Sequence, residues 1–192
     1  MKNILIINGH PNKNSFNFAL AEAYKKGALE TNKNVDEIVI SELNFNPNLE
    51  NGYQKRSEME PDLLKAFEKI KKADHLVFVH PVWWGGLPAI MKGFIDRVFL
   101  PGLTFKYREN SIWWDKLLVG KTARIITTLD QPSWYYKFVY GSPSVNQLKK
   151  SVLEFCGVKP VSVTYIENVK ISTPEQRDKW LKLVNDLGKN NK

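Results

Sequence analysis

"ILIINGHPNKNSFNFALAEAY", residues 4–24, carries three signals in succession. Ile4–Ile7 is an aliphatic run too short for a helix and stopped by Asn8-Gly9, which reads as a buried strand. A polar loop follows through His10-Pro11. From Phe16 to about Leu29 the spacing becomes helical, with Ser15 at the cap position. A strand that passes through such a loop into a helix presents free N–H groups and the positive end of a dipole to an anion. The loop has neither the P-loop lysine nor the glycine spacing of a dinucleotide fingerprint. His10, Ser15 and Asn17 offer side-chain donors instead. Ser15 as a plain cap and His10-Pro11 as a plain turn fit these residues equally well.

The alternation continues downstream. Val35–Ile40, Leu76–Val79, Thr122–Thr127 and Val161–Tyr165 read as further strands. Helices are expected from Glu60-Pro61-Asp62 to about Ala73, over Pro88–Val98 and over Val145–Phe155 with Gly157 as its stop. A last helix is expected over Pro174–Leu187, with Gly188 as its stop. Ser41–Glu60 reads as irregular. Five strands separated by helices imply an α/β fold, a five-stranded parallel sheet with helices on both faces, in one domain over residues 1–192.

Composition narrows the function. The 192 residues carry a formal charge of +8, with lysines dispersed in pairs such as Lys25-Lys26 and Lys149-Lys150. That pattern describes a solvated surface that also attracts anionic ligands; no nucleic-acid motif appears. No apolar run approaches the roughly 20 residues that would cross a membrane, so no membrane insertion is expected. The start leaves no room for a signal peptide, and Cys156, the one cysteine, cannot form an intrachain disulfide. The expected localisation is cytoplasmic.

In open parallel sheets, ligands bind beyond the carboxyl ends of the strands. Three segments leave such ends: Gly9–Asn17, His80–Leu87 and Thr127–Gly141. The second puts Trp83-Trp84 beside Gly85-Gly86, so that flat rings adjoin backbone a ligand can approach closely. The third crowds Trp134, Tyr135, Tyr136, Phe138 and Tyr140 among turn residues; its alternative is packing on the sheet edge or another subunit. No metal-ligand spacing, no hydrolase elbow and no carboxylate pair stand out. An anion cradle with aromatic walls suits a protein whose chemistry belongs to a bound cofactor.

On the stretches "NGHPNKNSFNFALA" (8–21), "ELNFNP" (42–47), "HPVWWGGLPAIMKGFIDRVFLPGLTFKY" (80–107), "TT" (127–128) and "LEFCGV" (153–158), the chain resembles the flavodoxin-like NAD(P)H:quinone oxidoreductase family, which includes DT-diaphorase, modulator of drug activity B and the Kef ancillary oxidoreductases. The resemblance implies a flavodoxin-like three-layer sandwich holding a flavin. It implies that His10, Ser15, Phe16 and Asn17 hold the flavin phosphate. Pro81, Val82, Trp83, Trp84 and Gly85 would line the isoalloxazine, and Thr127 and Thr128 its far edge. Tyr135 and Tyr140 fall near positions that assist hydride transfer and quinone binding. Phe105 and Tyr107 match positions that reach the neighbouring active site in the family's homodimers. The implied reaction is ping-pong, two-electron hydride transfer from NADPH or NADH through the flavin to a quinone or similar flat acceptor. The short end after the last helix favours FMN over FAD. A flavodoxin-type electron carrier and a subunit docking to a membrane transporter are the alternatives. The family's Thr-Thr-Gly-Gly turn, whose glycine amides approach the ring edge closely, is Thr127-Thr128-Leu129-Asp130 here, and Leu and Asp are not expected to copy that approach as a matter of course.

Overall fold

The computed structural model describes residues 2–52, 54–55 and 58–190. Its elements are β1 (Asn3–Asn8), α1 (Phe16–Leu29), β2 (Asn34–Val39), α2 (Pro61–Lys72), β3 (His75–Pro81), α3 (Ala89–Val98), β4 (Phe105–Tyr107), β5 (Trp114–Lys116), β6 (Thr122–Thr128), α4 (Ser133–Phe138), α5 (Pro143–Asn146), β7 (Val161–Ile166) and α6 (Pro174–Asn190). Five strands form one parallel sheet in the order β2-β1-β3-β6-β7. The aliphatic runs in β1 and β3 follow from burial on both faces. Leu5, Ile7, Leu76, Phe78 and Ile125 point into one layer against α2 and α3. Ile4, Ile6, Val77, Val79 and Ile126 point the other way, against α1 and α6. The fold is the expected α/β three-layer sandwich.

The chain runs from β1 outward to β2, then returns past β1 to β3. The winding reverses between β1 and β3, and a crevice opens there at the carboxyl ends of the strands. β6 lies next to β3, so the loops after β1, β3 and β6 leave the sheet side by side.

Several local expectations are corrected. Gly188 does not stop the last helix; α6 continues through it to Asn190. The glycine serves a close crossing instead. A Cβ at Gly188 would lie 2.2 Å from the Tyr24 carbonyl oxygen, and one at Gly27 would lie 1.9 Å from that of Asn185. The two glycines let α1 and α6 touch backbone to backbone. The helix expected over Val145–Phe155 begins at Pro143, and Gln147–Glu154 is wound as a π-helix. Three-residue strands β4 and β5 form an antiparallel hairpin, held by an Arg108–Asp115 ion pair at 2.7 Å. The connector after β6 contains a short helix, α4.

His75 and His80 are both buried in β3. His75 Nδ1 meets Thr122 Oγ1 at 2.6 Å, and His80 Nδ1 lies 3.0 Å from the Pro81 carbonyl oxygen. Burial pushes both imidazoles down to about 4 and keeps them neutral. A depressed histidine contributes its full stability above the unfolded value of 6.5 and loses it as pH falls towards 4.

Two outcomes test this packing. Gly188→Ala lowers the urea midpoint by an amount equivalent to about 1–3 kcal/mol, with the slope unchanged; an unaltered midpoint contradicts the backbone crossing. The urea midpoint of the wild type falls as pH drops from 6.5 to 4, and that of His80→Asn falls less. Equal pH dependence in the two proteins contradicts a buried neutral His80.

Candidate functional site

The first wall is the β1–α1 loop. Gly9 N donates to Val79 O at 2.9 Å, which ties the loop to β3. Asn12 N donates to His10 Nδ1 at 2.9 Å. His10 Nδ1 is therefore an acceptor, and its proton sits on Nε2, a donor without charge. Desolvation holds the His10 imidazole below its ordinary value, reinforcing the neutral form. Ser15 occupies the cap position of α1, yet its hydroxyl makes no capping bond. Ser15 Oγ and Asn8 Nδ2 are buried without a partner among the described residues. The first turn of α1 carries no acidic residue. A helix N-terminus, two orphaned polar groups and a neutral imidazole N–H form a cradle for an anion.

The expected residues divide here. Asn17 is buried, and its amide donates to Thr128 Oγ1 at 3.1 Å, which joins α1 to the end of β6. The Phe16 ring turns away towards α6, with Trp180 at 6.0 Å between centroids and the Arg177 guanidinium 5.4 Å from its centre. What Phe16 offers the cradle is its backbone at the helix start.

The second wall is the turn after β3. Trp83 N donates to Gly86 O at 3.1 Å, and Gly86 N donates back to Trp83 O at 2.8 Å. Trp84 and Gly85 bridge the tip with φ of 50° and 76°. Both positive angles make this the tight turn of a β-hairpin, and the glycine accepts its part without strain. Neither the Trp84 nor the Gly85 amide donates to a backbone acceptor among the described residues. The Trp84 indole is fully exposed, and Trp83, 45% exposed, stands edge-on to His10 at 5.5 Å. The first and second walls therefore meet. Val82 N donates to Thr128 O at 3.0 Å, which brings in the third.

That third wall is the end of β6. Thr127 and Thr128 point to opposite faces of the sheet, as alternation requires. Thr128 joins Asn17, whereas Thr127 Oγ1 is buried without a partner among the described residues, beside His80, its neighbour across the ladder. Leu129 does not copy the glycine it replaces. Leu129 N donates to Ile166 O at 2.8 Å and Leu129 O accepts from Val169 N at 3.0 Å, extending the pairing of β6 with β7. Its side chain packs with Tyr136 and Val145 in a small core. Asp130 Oδ1 accepts from Lys170 N at 3.2 Å. The Leu129 amide is thus committed to the protein and is not offered to a ligand.

Tyr135 and Tyr140 stand edge-on at 5.3 Å, and both are exposed. Tyr140 approaches the turn: a Cβ on Gly85 would lie 3.8 Å from its ring. Tyr136, which the sequence does not single out from its neighbours, is buried, with its hydroxyl bonded to the turn. Phe105 is buried against Phe155 at 4.9 Å, so its ring faces this chain's own core. Tyr107 is exposed and, with Phe105, lines a groove of about 530 Å³ shared with Ile95, Phe99 and Phe155. No residue of that groove comes from the three strand-end loops.

The donor set fits a flavin mononucleotide in kind. The orphaned polar groups at α1 suit a phosphate, and the free amides beside exposed indoles suit the edge and face of a flat, hydrogen-bonding ring.

Comparison with known proteins agrees with the fold. The model of a family described as having a flavodoxin-like fold matches residues 2–187. NAD(P)H dehydrogenase [quinone] 1 of Rattus norvegicus is 27% identical, over 92% of this chain and 73% of its own length. FMN-dependent NADH:quinone oxidoreductase 1 of Lactococcus lactis is 33% identical, over 57% of this chain and 60% of its own. The crystal structure of Smu.1420 from Streptococcus mutans superposes with a TM-score of 0.85 at 34% identity, covering 98% of this chain and 99% of that one. The chain belongs to the flavodoxin-like family, with NAD(P)H:quinone oxidoreductases among its relatives.

Proposed function

We propose that this protein is a flavin-dependent NAD(P)H oxidoreductase. It would pass two electrons, as hydride, from NADH or NADPH to a quinone or a similar flat acceptor in a ping-pong sequence. The observation that carries the reading is the convergence of unpartnered donors: Ser15 Oγ and Asn8 Nδ2 at the start of α1, and the Trp84 and Gly85 amides at the neighbouring strand end. A bound flavin supplies what no side chain here has, reversible two-electron acceptance.

The chain's own groups hold and orient. The α1 N-terminus, Ser15 and the His10 Nε2–H would hold the phosphate. Pro81, Val82, Trp83, Trp84 and Gly85 would line the ring, and Thr128 its far side. Donors fixed by the fold stabilise charge without reorganisation. Tyr135 and Tyr140 would orient the acceptor at the open face, where a phenol can donate to a quinone oxygen. Hydride plus one proton then gives the quinol. FMN is the favoured flavin, as it is the one named for the Lactococcus lactis relative. Exposed Tyr107, Ile112 and Trp113 on and between β4 and β5 give a second copy an apolar face, in keeping with a homodimer.

The test is an anaerobic titration of the FMN-loaded protein with NADPH. The yellow absorbance bleaches with one equivalent and returns on adding a quinone; a protein that stays colourless after flavin addition overturns the reading. Ser15→Ala weakens FMN binding by about tenfold or more, the loss of a hydrogen bond to a charged group. Its melting temperature stays the same, because the Ser15 hydroxyl has no bonding partner among the described residues. A variant that melts lower and binds FMN normally would make Ser15 a structural residue.

A further inference from the structure

The amides at the tip of the Trp83–Gly86 turn are useful only if the turn that carries them is held. Gly85 does not hold itself, since glycine accepts φ of either sign. The restraint comes from the aromatic connector. Tyr136 OH donates to Gly85 O at 3.2 Å. It also meets Ser144 Oγ at 2.7 Å and accepts from Ser144 N at 3.0 Å. Ser144 N lies 3.1 Å from the same Gly85 carbonyl. The phenol is completely buried. Burial raises its pKa and keeps it protonated, so it remains a donor.

The connector that presents this phenol is itself anchored away from the turn. Leu129, Tyr136 and Val145 form its core, with Val82 and Tyr165 packed against it. Glu167 accepts from Ser133 N, and Asp130 from Lys170 N. Ser142 N donates to Tyr136 O at 3.0 Å, and Asn146 N to Ser142 O at 2.8 Å. Leu129-Asp130, standing where the family it resembles has a glycine pair, thus builds the platform on which Tyr136 stands.

We propose that Tyr136 is a positioning residue: its hydroxyl, with Ser144, holds the Gly85 carbonyl, fixes the Gly85–Gly86 peptide that closes the turn, and so keeps the tip that carries the free Trp84 and Gly85 amides in place beside the bound ring. The exposed Tyr135 and Tyr140 face the acceptor, while Tyr136 acts from below through the turn. This rests on the flavin-binding reading for its consequence, but the clamp itself exists without any ligand.

The test therefore has two parts. In the ligand-free protein, amide hydrogen exchange is followed across residues 82–88 in the wild type, Tyr136→Phe and Ser144→Ala. Tyr136→Phe accelerates exchange there by about tenfold, as a lost hydrogen bond in a buried pair predicts, while β1 and α6 keep their protection. Tyr135→Phe, which removes a phenol with no bond to the turn, leaves the segment unchanged. FMN affinity and midpoint potential are then measured on the same proteins by fluorescence quenching and spectroelectrochemistry. Tyr136→Phe weakens FMN by about tenfold and shifts the potential, and Ser144→Ala shifts both in the same direction by less. If Tyr136→Phe does not fold, the Ser144→Ala shifts decide alone. Wild-type exchange, affinity and potential in both variants overturn the proposal. Failure of the wild type to bind FMN overturns the functional reading instead, while the exchange result still stands or falls by itself.

Discussion

The site depends on one constraint: β1, β3 and β6 are adjacent and parallel, in register, with their carboxyl ends level. Asn8 pairs with Val79, and Pro81 with Thr128. Every strand therefore releases its loop at the same edge. Short hydrogen bonds then close the loops on one another, from Gly9 to Val79, from Val82 to Thr128 and from Asn17 to Thr128. No side chain has to be carried far. A parallel sheet whose faces are covered can be held this rigidly because its strands are apolar on both sides.

Against that rigid frame, the unsatisfied groups acquire meaning. An orphaned buried polar atom costs about 1–3 kcal/mol. Asn8 Nδ2, Ser15 Oγ and Thr127 Oγ1 all lie at the strand ends where the three loops meet. Trp84 at positive φ adds backbone strain beside a fully exposed indole. Other buried atoms also lack a partner among the described residues, including Tyr24 Oη, Ser41 Oγ, Arg97 Nε and Arg124 Nε; what sets the strand-end group apart is its company, a helix N-terminus, free amides and exposed indoles at one edge. The exposed tyrosines and indoles at the same edge are flat and partly polar, which is what the proposed planar ligand requires.

The sequence made the sheet legible and the connector illegible. Buried parallel strands appear as aliphatic runs ended by Asn-Gly or Thr-Thr, so all five were readable, with their ends off by one or two residues. β4 and β5 are three residues each, with charged Lys106 and Asp115 among them, and carry no alternation to detect. The π-helical winding of Gln147–Glu154 has no compositional mark. Gly188 resembles a helix stop in sequence, yet it is an interior crossing point whose partner lies 161 positions away at Gly27. The aromatic segment stands out by its composition, but nothing in "WYYKFVY" shows which tyrosine turns inward. That is decided by Leu129, whose burial pulls Tyr136 beneath the turn and leaves Tyr135 at the surface. Phe105 likewise needed the hairpin's packing against Phe155 before its inward direction could be known.

The central claim is that three separate strand ends form one binding surface for a phosphate-bearing planar ligand. A chemical-shift map of isotope-labelled protein titrated with FMN tests it most directly. The account predicts saturating shifts at one equivalent, concentrated in the backbone amides of residues 9–17, 82–86 and 127–129, with Trp84 and Gly85 among the largest. Shifts confined to one of these segments, or centred on the groove between α3 and the β4–β5 hairpin, would contradict it.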